Sequence, residues 1–365
     1  MQILATVLSI TLISVTLAVI ISVAEKFLNN YGECEIDINQ GSKVIKVAGG
    51  SSLLSSLGSQ KIFIPSACGG KATCGLCKVA VLEGGGPLLP TEEPYLTKDE
   101  IASHYRLSCQ IKVKRNIRIM IPEELFLIRE YATTIEEITD LTHDIKFLRL
   151  KLQADEPISF KAGQYVQLHS RPYGKIKESA FRAYSVASAP SDKTHVDLIV
   201  RLVPEGIVTT YAHTMLKAGD QVAISGPYGD FFLRGDCSEI VMIAGGSGLA
   251  PMRSIILDVI EKKLDLKMVF FFGAVTRKDL YYLDYFARIA EENPNFRFIP
   301  ALSKPDPEDD WTGEVGLITE VVARHVPDAV SREAYLCGSP GMINACLKVL
   351  GSKGFSEDRI YFDKF

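Results

Sequence analysis

The sequence predicts a membrane-anchored chain with three soluble modules: an α+β unit, a small antiparallel β-barrel and a parallel α/β sheet. Three observations lead there. The N-terminus opens on an uncharged run, three cysteines fall within ten positions at 68–77, and the strand pattern changes character near residue 236. The chain has 365 residues, of which 47% are apolar and 23% charged, enough for two or three domains with their own cores. A net charge of −4 without any basic stripe leaves no reason to expect nucleic acid. The eight cysteines do not read as a disulfide framework, because three cluster among glycines and a chain this long needs no staples; a reducing compartment is expected.

The run "ILATVLSITLISVTLAVIISV", Ile3 to Val23, carries no charge and is followed by Glu25 and Lys26. A bilayer core needs roughly 20 apolar residues in a helix. A cleaved signal peptide is the rival reading. The run lacks a basic leader, is long for such a peptide and is followed by no A-x-A site. Residues 1–25 therefore read as an uncleaved transmembrane anchor. Lys26 alone favours a cytoplasmic position for the rest of the chain.

Residues 32–125 form the next expected module. "CEIDINQGSKVIKVA" alternates like a β-hairpin, a short helix comes next around Leu53 to Leu57, and "CKVAVLEG" reads as a strand after the cysteine loop. Thr97 and Glu100 make an S/T-x-x-E helix start, and "SCQIKV" and "IRIMIP" read as closing strands. Residues 126–235 hold the short strands "FLRLKL", "YVQLHS", "AYSVAS", "HVDLIVRL" and "QVAISGP" with one helix at "GIVTTYAHTML", the pattern of a small antiparallel barrel. From 236 to 365, "EIVMIAGG", "KMVFFFGA", "FRFIPAL" and "EAYLCG" are continuous apolar strands alternating with helices. That is how a parallel sheet covered on both faces reads.

Cys68, Cys74, Cys77 and Cys109 have the spacing C-x5-C-x2-C-x31-C. Three thiolates on a tight loop and a fourth from a distant strand can surround a two-iron cluster, and Gly69, Gly70 and Gly75 let amide groups approach the sulfurs. Structural zinc is the rival, although zinc ribbons usually bring two C-x2-C knuckles and only one is present. "RAYSVAS" offers an arginine for a diphosphate (Arg182), an aromatic for a flat ring (Tyr184) and a hydroxyl for a reactive nitrogen (Ser185). Gly206 and Thr209 open a helix whose N–H groups suit a pyrophosphate, and Gly226 lies in "GPYGDFF", read as a turn ending a barrel strand. Together these suit a flavin. In "IAGGSGLAPMRSII", Gly245, Gly246, Gly248 and Pro251 follow a buried strand and open a helix, the context in which backbone can approach a dinucleotide. "LCGSPGMINA" repeats the pattern with Cys337, Gly338 and Met342. For Cys337, the plainer reading is a small buried core residue.

This ordered set (cluster loop, R-x-Y-S, G-P-x-G-x-F, G-G-x-G-x-A-P-x-R and C-G-x-P-x-M) resembles the ferredoxin–NADP reductase superfamily fused to a 2Fe–2S domain. With the anchor and the cysteine spacing, it is similar to the electron-input F subunits of sodium-translocating NADH:quinone oxidoreductases. The resemblance covers essentially the whole chain. It implies a β-grasp ferredoxin fold for 32–125, FAD in the barrel and NADH on the parallel sheet. It implies an NADH dehydrogenase subunit on the cytoplasmic face of a bacterial inner membrane, passing electrons through FAD and the 2Fe–2S cluster to membrane-embedded redox subunits. FAD would rest on Arg182, Tyr184, Ser185, Arg201, Gly206, Thr209 and Gly226. NADH would lie over Gly245 to Pro251 and beside Cys337, Gly338 and Met342, with Phe365 covering the flavin ring. Ser185, Cys337 and Phe365 would be the catalytic residues. Two departures stand out. Only "HSRPYGKIKESAF" fills a gap where the family often carries a long insert, and no glycine follows the terminal aromatic. Both leave room for a shortened relative serving another acceptor, such as a membrane redox complex without sodium pumping. A reductase component of an oxygenase, built from the same modules, is the alternative, against which the anchor argues; a tethered iron–sulfur sensor is the non-enzyme reading. After "FRFIPALS", Lys304 faces Asp306, Glu308, Asp309 and Asp310, an acidic loop that predicts NADH over NADPH.

Overall fold

The computed structural model describes residues 10–19, 31–153, 156–235 and 237–364. It divides into two compact units, Met1–Ile128 and Arg129–Phe365. A helical stretch at 10–19 (α1) leaves Ile10, Leu12, Ile13, Val15, Leu17 and Val19 exposed. No helix among the described residues is long and apolar enough to cross a membrane. The remainder of the expected anchor, and Phe365, lie outside the described residues.

In the first unit, β1 (Glu33–Ile38) and β2 (Lys43–Ala48) form the expected hairpin, and alternation turns Cys34, Ile36 and Ile38 inward. Helix α2 (Leu53–Ser59) starts where the Ser52 hydroxyl accepts the Ser55 N–H, and its Leu53, Leu54 and Leu57 are buried. Strand β3 (Lys78–Glu83) leaves the cysteine loop, and α3 (Lys98–Ala102) carries the Thr97–Glu100 capping box. With β4 (Tyr105–Leu107) and β5 (Ile117–Met120), the sheet order is β2-β1-β5-β3-β4, β1 and β5 being parallel. Cys109 was expected on a strand "SCQIKV"; it sits instead in a turn after β4, closed by Gln110 N–H on the Leu107 carbonyl at 2.9 Å. The segment's carbonyls are spent on α2, since Ser108 and Ile111 accept from Leu54 and Leu53, so no sheet ladder forms there.

The second unit begins with β6 (Arg129–Asp140), a twelve-residue strand missing from the sequence reading. Its inward positions Tyr131, Thr133 and Ile135 alternate with Ala132 and Thr134, charges flank them on both sides, and a bulge between Ile135 and Glu137 then breaks the period. The strands β7 (Ile145–Leu152), β8 (Tyr165–Ser170), β9 (Ala180–Ser185), β10 (His195–Arg201) and β11 (Gln221–Tyr228) complete a sheet of order β10-β7-β6-β11-β8-β9. Its two edges meet only at an isolated bridge, Val186 to Leu198, so the barrel is partly open. Helix α4 (Ile207–Thr214) is the one α-helix among the described residues of this layer. Gly226 does not end a strand. It lies within β11, at φ 153° and followed by Pro227, where the register against β8 shifts because proline offers no ladder donor.

The parallel sheet comes next: β12 (Glu239–Gly245), α5 (Leu249–Glu261), β13 (Lys267–Ala274), α6 (Leu283–Glu292), β14 (Phe296–Leu302), β15 (Glu314–Val315), α7 (Ile318–His325), β16 (Arg332–Gly338), α8 (Pro340–Ser352) and β17 (Ile360–Lys364). Strand order is β15-β14-β13-β12-β16-β17, all parallel. Successive residues of β12 face opposite cores. Ile240, Met242 and Ala244 pack with α5 and α6, while Val241 and Ile243 pack with α7 and α8. The first of these cores also takes in Ile145, Ala187, Ile199 and Phe231 from the barrel, so barrel and sheet share apolar packing.

Candidate functional site

In the first unit, the thiols fall into two pairs. Cys74 donates to Cys68, with the sulfurs 3.4 Å apart, and Cys77 donates to Cys109. Hydrogen bonding from its partner holds Cys68 far below, and Cys109 somewhat below, the ordinary thiol range; Cys74 and Cys77 are pushed up correspondingly. Backbone and amide donors also reach the sulfurs: Lys71 N–H lies 3.2 Å from Cys68 Sγ and Gln110 Nε2 3.7 Å from Cys109 Sγ. The left-handed glycines Gly69 and Gly70, at φ 65° and 86°, make that wrapping possible. Among the described residues no three such groups converge on a single ion position. Two pairs rather than a tetrahedral quartet suit a cluster with one pair per iron better than they suit zinc.

In the second unit, β9 stands out against its neighbours. All six of its residues are half-buried, whereas β8 is buried at five of six positions. The hydroxyl of Tyr184 is buried without a hydrogen-bond partner, and burial raises its phenol. A half-covered strand carrying an orphaned buried hydroxyl fits a flat polar group laid over Arg182, Tyr184 and Ser185. Helix α4 begins at Gly206, so the N–H groups of Ile207, Val208 and Thr209 lack intrahelical acceptors. The Thr209 hydroxyl is committed to its own turn, accepting from Val203 N–H at 3.2 Å, which leaves its backbone N–H as the available donor.

The glycine turn after β12 meets the turn after β16 at the carboxyl ends of adjacent strands, the topological switch point where open α/β sheets bind ligands. A Cβ on Gly248 would collide with the Cys337 carbonyl, and Met342 lies over both Gly245 and Gly338. Gly246 adopts φ 57°. Gly245, Gly246, Gly248, Cys337, Gly338 and Met342 thus form one cradle, and Pro251 is buried in the first turn of α5. Cys337 is wholly buried and burial raises its thiol well above the ordinary range. Arg201, expected among the flavin residues, lies at the end of β10. Its Nε lies 2.8 Å from Asp144 Oδ2 and its guanidinium reaches the Gly246 turn. Although burial works against it, the Arg201 bond leaves the Asp144 carboxyl below its usual value. Tyr281, missed in the sequence, donates to the Gly246 carbonyl at 2.7 Å. No local motif signals it, because the contact spans 35 positions.

Family models agree with this division. A 2Fe–2S iron–sulfur cluster binding domain matches residues 36–114, an oxidoreductase FAD-binding domain 132–233 and an oxidoreductase NAD-binding domain 242–348. The chain is thus a flavin- and nicotinamide-dependent oxidoreductase with an attached 2Fe–2S domain. The F subunit of the Na(+)-translocating NADH-quinone reductase of Methylococcus capsulatus is 37% identical, covering 100% of this chain and 99% of that one. Its counterpart from Klebsiella pneumoniae is 36% identical over the full length of both. The chain belongs to the family of these F subunits and is an NADH oxidoreductase. The first alignment runs to 406 positions, so it leaves gaps opposite segments that the relative has and this chain lacks. Among solved structures, the Amycolatopsis cytochrome P450 reductase GcoB matches at TM-score 0.72 and 31% identity, covering 91% of this chain and 98% of that one. A ferredoxin reductase in carbazole 1,9a-dioxygenase matches at 0.69 and 25%, covering 92% and 98%.

Proposed function

We propose that this chain is the electron-input subunit of a membrane-bound, quinone-reducing complex, with residues 1–25 as a single-pass anchor and the rest on the cytoplasmic face. The related F subunits, named for sodium translocation and quinone reduction, support that assignment, as does the uncharged run from Ile3 to Val23. The observation that carries the chemistry is that the half-buried face of β9 and the Gly245–Gly248 cradle belong to one compact unit with shared packing.

In this reading, Arg182 and the α4 N–H groups hold the FAD diphosphate, Tyr184 covers its ring, and Ser185 bonds it at the edge. The cradle at Gly245, Gly246, Gly248, Gly338 and Met342 admits the NADH backbone, because side chains there would block close approach. Arg201 lies where it offers a cation to a dinucleotide on the Gly246 turn. Bound FAD supplies the conversion between a two-electron hydride and single electrons, and a 2Fe–2S cluster on Cys68, Cys74, Cys77 and Cys109 relays those electrons one at a time. Cys337 is buried at the end of β16, with its carbonyl against Gly248.

The test is deletion of residues 1–25. A soluble, yellow-brown protein that oxidises NADH with an artificial acceptor is expected; a folded product that does neither would overturn the modular reading. Co-purification of membrane redox subunits with the full chain tests the complex. A second reading, a reductase serving an oxygenase, is favoured by the likeness to the P450 and carbazole dioxygenase reductases. Loss of NADH-dependent quinone reduction from membranes lacking this chain would exclude it.

A further inference from the structure

We infer that Arg253, with Ser254 beside it, is a positioning residue that sets the distance between the two dinucleotides; the inference rests on NADH lying over the Gly245–Gly248 turn. Arg253 is on α5, five residues past Gly248, about 7.5 Å along a rigid helix. Its Nη1 donates to the Ala187 carbonyl at 2.7 Å and to Asp197 Oδ2 at 3.1 Å. The Ser254 hydroxyl donates to the Ser188 carbonyl at 2.7 Å. Ala187 and Ser188 are the continuation of β9, two and three residues beyond Ser185. One helix therefore carries the NADH turn at its head and, within two turns, grips the strand that carries the flavin residues.

Both ends of that grip are stiff. Asp197 is 1% exposed on β10 and also accepts from Arg149 of β7 at 3.2 Å, so it is fixed to the barrel independently of Arg253. Its own backbone accepts the Ala187 N–H at 2.8 Å, and its N–H donates to the Ser188 hydroxyl at 3.2 Å. The Arg253 guanidinium lies 5.9 and 5.6 Å from the Tyr282 and Tyr285 rings, which limits its freedom from the sheet side. Ser254 and Ser188 are buried. Both bonds leave from the one Nη1 at the end of a long planar side chain, whose reach and orientation lysine reproduces only in part. Hydride transfer needs donor and acceptor near 3–3.5 Å, and a misplacement of about 1 Å costs on the order of a hundredfold.

The experiment is single-turnover flavin reduction by NADH in the full chain. Arg253→Met should lower the limiting reduction rate tenfold to a hundredfold, while flavin content stays at wild-type level and half-saturation by NADH shifts less than about twofold. NADH deuterated at the nicotinamide C4 should then show a larger isotope effect, and Arg253→Lys should recover part of the rate. Ser254→Ala, a smaller deletion, should slow reduction roughly twofold to tenfold. An unchanged rate in Arg253→Met overturns the inference. Should Arg253→Met lose flavin or fail to fold, a wild-type rate in Ser254→Ala overturns it instead. Gly246→Ala separates the two ways of failing. If it weakens NADH saturation while Arg253→Met leaves the rate alone, the grip is wrong and the NADH site stands. If neither variant has an effect, the NADH site itself is misplaced and the inference falls with it.

Discussion

Arg106 and Glu92 form a buried ion pair three residues from Cys109, with Nη2 2.6 Å from Oε2 and the carboxylate wholly shielded from solvent. Glu92 also accepts the backbone N–H groups of Leu107 and Leu89, at 2.9 and 3.0 Å. Arg106 spends its remaining donors on the carbonyls of Gly86 and Pro87, at 2.9 and 2.8 Å. The pair ties the 85–92 loop to β4, and the turn after β4 carries the fourth cysteine.

Removing one partner of such a pair leaves the other charged and buried, at a cost of about 3–5 kcal/mol. Glu92→Ala should therefore destabilise the first unit by that amount and shorten the lifetime of the cluster. Urea unfolding followed by the visible absorbance of the cluster reads both. The double variant Glu92→Leu/Arg106→Met should be more stable than Glu92→Ala alone; equal stability would mean that the buried charge is not the cause.

Cys109→Ala should abolish the paramagnetic signal of the reduced cluster and leave FAD bound, because its thiol pairs with Cys77. Cys34 is the control. It is buried and points at the Tyr31 carbonyl, 3.7 Å away, so Cys34→Ala should keep the signal. The opposite result for these two variants would show that the ligand set is wrong.

Asp363 pairs with Cys337 in the β16–β17 ladder, and burial raises its carboxyl to about 6. The folded protein thus binds a proton that the unfolded chain has released above its ordinary value of about 3.9. The stabilisation from the neutral form is complete below that value and is lost as pH rises through about 6. Asp363→Asn should raise the thermal midpoint of the second unit at pH 8 and have little effect at pH 4. A difference between wild type and variant that does not grow over that interval would contradict the assignment.

NADH should be preferred over NADPH by roughly fivefold to tenfold in kcat/KM at moderate salt, the range expected for exposed like charges. Two of the four acids in the loop after β14 are occupied locally: Asp306 accepts the Glu308 N–H at 3.1 Å and Asp309 the Asp306 N–H at 3.3 Å. These bonds leave all four acids on the loop, so a 2′-phosphate there meets repulsion. Equal use of the two nucleotides would refute this reading of the loop.

The order of modules and most of the chemistry are determined by the sequence alone. Glycines, prolines, and cysteines at fixed spacing state local backbone requirements, and a strand buried on both faces, such as β12, is apolar throughout wherever the chain is cut. The sequence also places Cys68, Cys74 and Cys77 together, because neighbours in a tight loop are neighbours in space. Relations between segments far apart in the chain belong to the tertiary structure. Strand β6 was invisible because only Tyr131 and Ile135 mark its inward face as apolar, charges flank them, and a bulge resets its period. Cys109 sits in a turn because its neighbours' carbonyls serve α2, which local propensity does not encode. The same holds for Tyr281 on Gly246, Arg201 beside the Gly246 turn and Arg253 on Ala187. Each is a single contact between distant segments, brought together where the barrel and the sheet bury their common apolar face. Such a contact leaves no period in the sequence, and only the packing that brings its two ends together specifies it.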